Sequence, residues 1–420
     1  MFHKDIIAVD IWYNVGNKMK IGFFTDAYFP QVNGVVTSVY ETARGLRSKG
    51  NEVVVIAPAY PNYNDTKEDN VIRLSSIPIH KKLNIRLATH LPDKTLINLY
   101  KSSFDIIHAH GGGTISLLGL EIARIKKIPI VFTYHTLWNK YTHYLLKGVV
   151  MPKVVERMSR IVCNRCTAII APSKRIKNEL ISYGVKKPIF VLPSGVDLER
   201  FKGKNIGFLR EKFKLKNECR ILLSIGRLGK EKSIDFLIKA FKIVSGKDKN
   251  TVLVIVGEGT EKENLQNLTK ELELKERVYF TGNIDFEDMP LVYKDADLFL
   301  FASQTETQGI VILEALASGL PVVAVNDAVY DGIIKDKKNG ILVSNDIDQF
   351  AKACLNLLNN PTYRKRLSEQ ARKTMIKFSV STTAQALSKL YEKLIYDPFD
   401  FALHQTVRGF AQGHAEVIEA

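Results

Sequence analysis

FASQTETQGIVILEALASGLPVVAV, residues 301–325, decides the fold. It reads strand, loop, helix, turn, strand. Residues 297–302 (DLFLFA) are a short apolar run, as a strand buried on both faces requires. Residues 303–309 form a polar loop. Residues 310–318 carry apolar side chains at helical spacing. Gly319 and Pro321 end that helix, and residues 322–325 start the next strand. Two carboxylates stand out. Glu306 lies in the loop at a strand's carboxyl end, beside a helix N-terminus. Glu314 lies inside an otherwise apolar helix, where an unpaired charge is expensive. Open α/β sheets bind ligands at the first position, and helix N-termini favour phosphate. Read together, the two glutamates hold hydroxyls of a sugar and a ribose around a diphosphate. Read separately, Glu306 is a solvated loop residue and Glu314 a structural ion pair.

Working outward, the whole chain alternates strand and helix. Strands are predicted at 20–24, 53–57, 106–108, 130–133, 168–171 and 189–192, then at 221–225, 252–256, 278–280 and 340–343. Two doubly wound parallel sheets follow, and 420 residues are too many for one core. Asn33-Gly34 opens a helix after the first strand, and a glycine there lets backbone approach a phosphate. His135 follows a strand end, with Trp138, Tyr141, His143 and Tyr144 after it. Gly226–Ser233 (GRLGKEKS) carries Arg227 and Lys232, which can neutralise a departing diphosphate. Alternatively, Lys230, Glu231 and Lys232 pair among themselves. The loop is neither a Walker A nor a GxGxxG motif. No metal or cofactor is expected.

Glu306, seven intervening residues, Glu314 and then ALASGLPVVA resemble the donor-site signature of family-4 retaining glycosyltransferases with the GT-B fold. TETQG, and YHT followed by HY, resemble the branch that glucosylates diacylglycerol. The GRLGKEK loop, the NGV at residues 33–35 and the SGVD turn at 194–197 resemble further family motifs, with Ser194 where the family has Asn. Glu258-Gly259-Thr260 lacks the family's proline. The resemblance spans residues 19–395. It implies two Rossmann-like domains facing across a cleft, with a C-terminal helix crossing back to the first. The implied boundaries are a leader at 1–18, an acceptor domain at 19–198, a donor domain at 199–378, a crossing helix at 379–396 and a tail at 397–420. It also implies a UDP-glucose donor site of Gly34, Arg227, Lys232, Glu306, Thr307, Gln308, Gly309 and Glu314. His135 lies near the sugar, and His135, Arg227, Lys232 and Glu306 serve the reaction. The implied product is an α-glucoside of diacylglycerol.

Composition bounds the partners. The net charge is +16, and residues 121–190 hold 14 Lys and Arg against three acids. Such a concentration points to a polyanion, either a membrane surface or nucleic acid, or to a solvated basic face. No helix-turn-helix, zinc-finger or RNP signature favours nucleic acid. Residues 151–166 (MPKVVERMSRIVCNRC) predict an amphipathic helix. Val154, Val155, Met158, Ile161 and Val162 form its stripe, opposite Lys153, Arg157 and Arg160. Such a helix either lies on an anionic bilayer or docks on the sheet. Lys81, Lys82 and Arg86 form a second basic-apolar segment with the same two readings. No apolar run is long enough to span a bilayer, and no signal-peptide pattern opens the chain. A cytoplasmic protein peripheral to the cell membrane is expected. Cys163 and Cys166 lie on a helical pattern and read as core rather than as a metal pair.

Overall fold

The computed structural model describes residues 18–61, 63, 70–80, 85–135, 152–203 and 207–397. The first unit contains β1 (Lys20–Thr25), α1 (Gly34–Ser48), β2 (Glu52–Pro58), β3 (Val71–Leu74), β4 (Ser76–His80), β5 (Ile85–Ala88) and α2 (Lys94–Lys101). It continues through β6 (Ile106–His110), α3 (Thr114–Lys126), β7 (Ile130–Thr133), α4 (Pro152–Cys163), β8 (Ala168–Ala171), α5 (Lys174–Ser182) and β9 (Ile189–Val191). The second contains α6 (Phe208–Phe213), β10 (Arg220–Ile225), α7 (Ile234–Lys247), β11 (Thr251–Val256), α8 (Lys262–Glu271), β12 (Val278–Phe280) and α9 (Met289–Asp295). It continues through β13 (Leu298–Phe301), α10 (Ile310–Ala317), β14 (Val322–Val325), β15 (Gly340–Val343), α11 (Ile347–Asn359) and α12 (Pro361–Met375). The final helix is α13 (Val380–Tyr396).

The strands form a seven-stranded sheet ordered β3-β2-β1-β6-β7-β8-β9 and a six-stranded sheet ordered β12-β11-β10-β13-β14-β15. Pairing in both is parallel. The two sheets are therefore both doubly wound, as the alternation predicts. Each strand feeds both faces: Leu298 and Leu300 enter one core, while Phe299 and Phe301 enter the other. That two-sided burial is why DLFLFA reads as an unbroken apolar run. Strand order reverses between β1 and β6 and again between β10 and β13. Those switch points are where such sheets open a crevice.

β3, β4 and β5 were not among the predicted strands. β4 and β5 pair as an antiparallel hairpin, a separate two-stranded sheet. Pro78 lies inside β4 and β3 is only half-buried, so neither has the pattern of a central strand. Among the described residues, no helix is long and apolar enough to cross a membrane.

The chain crosses between the units twice, side by side. Val196 bridges Ser379, and Val380 N–H donates back to the Val196 carbonyl. A Cβ at Gly195 would sit 2.7 Å from Val380 Cα, so the glycine of the SGVD turn permits this contact. From there α13 returns to the first unit. Ala384, Leu387, Leu390, Tyr391 and Leu394 pack with Val39, Ala43 and Leu46 of α1. Arg200, just past the crossing, stacks 3.6 Å over Phe286, which meets Phe29 and Tyr40 of the first unit edge-on.

Candidate active site

The loop after β13 touches the carboxyl-end loops of the other sheet. Thr307 Oγ1 donates to the His135 carbonyl at 2.8 Å, just past β7. The Thr307 carbonyl accepts from Ser173 Oγ at 2.7 Å, just past β8. A Cβ on Gly34 would lie 3.2 Å from Ile310 Cγ2, so the start of α1 abuts the start of α10. Asn33 caps α1 by accepting from Val35 and Val36 N–H. Gly309, with φ +76°, is the N-cap of α10, which has no side-chain cap. Two helix N-termini thus meet across the seam between the units, an arrangement suited to a diphosphate.

Charges converge on the same place. Lys232 Nζ bonds Glu306 Oε1, with both side chains mostly buried. Burial pushes the Glu306 carboxyl up, but Lys232, Ser303 and Arg227 outweigh it and hold the group below the usual carboxylate range. Glu306 is therefore an ionised acceptor held by an ammonium group. Arg227 pairs with Glu231 at 2.9 Å and keeps over a third of its side chain exposed. Of the three residues of the alternative loop pairing, Glu231 pairs with Arg227 and Lys232 with Glu306. Arg227 and Lys232 supply two cations beside the α10 N-terminus, and Glu306 supplies an acceptor for a hydroxyl.

Among the described residues Glu314 forms no ion pair, which departs from the structural ion-pair alternative. Tyr293 of α9 donates its hydroxyl to Glu314 Oε2 at 2.6 Å. Burial raises the Glu314 carboxyl to about 7, and the Tyr293 bond opposes that rise. A carboxyl raised from 4.5 binds its proton more tightly in the folded chain. Folded stability should therefore fall as pH rises from about 5 to 7. Glu314→Gln should flatten that part of the curve of melting temperature against pH, leaving a residual slope from Glu41, which burial also raises to about 7. An unchanged slope would contradict the assignment.

His135 lies at the end of a row of imidazoles. Its Nε2 is 3.0 Å from His110 Nδ1, and the His110 ring lies against His108. His108 bonds Thr133 Oγ1 at 2.6 Å and the Tyr391 hydroxyl at 2.5 Å. Burial lowers His135 to about 4 and pushes His108 and His110 down, so the row is neutral at physiological pH. The HAH spacing puts both β6 histidines on one face, a signal available in the sequence but not read there.

The structure therefore brings together Gly34, His135, Arg227, Lys232, Glu306, Thr307 and Gly309. Gln308 is turned away from the cations. Its carboxamide bonds the Ser194 backbone through Oε1 at 2.9 Å and Nε2 at 3.2 Å. On α4, the buried line is Val155, Ser159 and Cys163, not the five-residue apolar stripe. Lys153, Arg157 and Arg160 are exposed, and so are Val154 and Met158. Arg86 is half-buried and donates to Ser76 Oγ and O, which ties it into the hairpin. Lys81, Lys82, Trp138, Tyr141, His143 and Tyr144 lie outside the described residues. Cys163 and Cys166 are free and buried.

Comparison with known proteins identifies the family and agrees with the fold. The profile "Glycosyltransferase Family 4" matches residues 32–200, and "Glycosyl transferases group 1" matches residues 205–374. An alpha-monoglucosyldiacylglycerol synthase of Streptococcus pneumoniae is 35% identical over 79% of this chain and 76% of its own. One of Acholeplasma laidlawii is 30% identical over 90% of this chain and 98% of its own. Among solved structures, Anabaena HepE in complex with UDP-glucose superposes with a TM-score of 0.72 at 20% identity. It covers 89% of this chain and 100% of its own. With its two parallel sheets, its crossing helix and these relatives, the chain belongs to the family-4 glycosyltransferases of the GT-B fold, enzymes that draw on nucleotide sugars.

Proposed function

We propose that the enzyme moves glucose from UDP-glucose to the 3-hydroxyl of 1,2-diacylglycerol, retaining the α configuration. The observation that carries this reading is the pair of relatives at 35% and 30% identity that bear the same synthase name. The site chemistry is compatible with it. Arg227 and Lys232 offset charge on the leaving diphosphate, with the α10 N-terminus and the Gly34 loop around it. Glu306 accepts from a glucose hydroxyl and Glu314 from the ribose. The bond from C1 to the β-phosphate oxygen breaks as the acceptor oxygen bonds C1 on the same face. The acceptor's proton passes to the departing phosphate oxygen. No cofactor enters that balance.

A lipid acceptor calls for a membrane-facing surface. α4 exposes Val154 and Met158 beside Lys153 and Arg157. The β4–β5 hairpin exposes Ile77 (54%) and Ile79 (60%). Mixed apolar and basic surface of this kind favours peripheral attachment to anionic lipid, here the inner face of the cell membrane. The test is an acceptor panel of diacylglycerol, monoglucosyl-diacylglycerol, phosphatidylinositol and soluble sugars, with proton NMR of the anomeric centre. A single α-glucosyl-diacylglycerol is expected. A β-linked product, or preference for another acceptor, contradicts the reading.

A further inference from the structure

We infer that the donor loop is also the clasp that closes the two domains, with Gln308 as its central positioning residue. The inference rests on the donor reading above for what closure achieves, but not for the clasp itself.

Successive residues of this loop serve different domains. Glu306 turns into its own domain, onto Lys232. Thr307 and Gln308 turn to the other. Gln308 is 4% exposed, and both ends of its carboxamide are spent on one residue's backbone, the N–H and carbonyl of Ser194. Ser194 adjoins the crossing at Gly195 and bonds Ser38 of α1 through its hydroxyl. Thr307 adds its bonds to His135 and Ser173. At the outer end, Arg175 reaches across to Asp327 at 2.7 Å and to the Gln304 carbonyl at 3.2 Å. The bonds of Thr307, Gln308 and Arg175 all join the donor loop or its neighbour Asp327 to the first domain.

Glutamine suits this position because it carries one donor and one acceptor side by side. A methionine of similar length would leave the Ser194 N–H and carbonyl buried without partners when the domains close. Water satisfies them only when the domains part. Losing two such bonds shifts the closed-to-open ratio by about 10- to 100-fold. Because Glu306 sits two residues away, the pose of the donor acceptor group is tied to closure.

Gln308→Met and Arg175→Met test the clasp. The readouts are the radius of gyration by small-angle X-ray scattering with saturating UDP, the UDP Kd by calorimetry, and initial rates. In both variants a larger radius than wild type is expected. Transfer kcat should fall about tenfold or more, with donor KM within about threefold of wild type. Two results would overturn the clasp. One is a wild-type radius with UDP affinity weakened more than tenfold for Gln308→Met alone, which would make Gln308 a donor ligand. The other is a wild-type radius and rate in both variants. Should Gln308→Met not fold, Arg175→Met is judged by the same criteria. Should wild type not bind UDP, the donor reading fails, and scattering of the variants without nucleotide decides the clasp separately.

Discussion

Glu306→Ala and Lys232→Ala are each expected to lower sugar transfer by about 10²–10³-fold or more, the scale seen when one preorganised charge-stabilising group is removed. The two groups are bonded to each other with side-chain exposures of 14% and 16%. They are not equivalent in stability. Removing Glu306 leaves an ammonium on a flexible stem that can turn toward water. Removing Lys232 leaves a buried carboxylate without its main cation. Burial, the largest influence on that carboxyl, is then opposed only by Ser303 and Arg227. Lys232→Ala should therefore cost about 1–3 kcal/mol, a figure discounted for the residual exposure of the pair. Glu306→Ala should unfold close to wild type. Rates with labelled donor, together with melting curves, read both effects. Normal turnover in either variant would remove the pair from the donor site.

Neutralising Lys153, Arg157 and Arg160 together should weaken binding to anionic vesicles by about 100-fold. Each basic residue near an anionic surface contributes roughly 1 kcal/mol, and three act on one exposed helix face. The loss should shrink as salt rises, since the attraction decays over about 10 Å at 0.1 M. Slow hydrolysis of the donor should be unaffected, because α4 supplies nothing to the cation pair. Val154 and Met158 remain exposed in this variant and would retain part of the binding. Vesicle flotation over a salt series measures it. Unchanged binding would return α4 to an ordinary solvated basic surface.

How much of this was legible beforehand follows from where the partners lie in sequence. The strands of the second sheet announce themselves because burial makes them apolar runs, followed by small or polar residues such as Gly226, Gly257, Ser303 and Asn326. Glu306 was legible for the same reason: it follows such a strand and precedes a helix. Glu314 drew notice as a charge in an apolar helix, but its partner did not. Tyr293 lies on another helix, 21 residues earlier, and no local pattern couples them. Gln308 sits in the same loop as Glu306 and was grouped with it. Its true contact is 114 residues away, at a crossing visible only once both sheets are assembled. On α4 the charges could be placed, but the buried line could not. Ser159 occupies its centre, bonded to the Tyr134 hydroxyl, where periodicity looks for an apolar side chain.

The most direct test of the central claim is transfer from radiolabelled UDP-glucose to diacylglycerol in vesicles, with and without anionic lipid. Label in a monoglucosyl lipid, rising with the anionic fraction, is expected. UDP release without any labelled lipid, or label appearing only in a soluble acceptor, would contradict it.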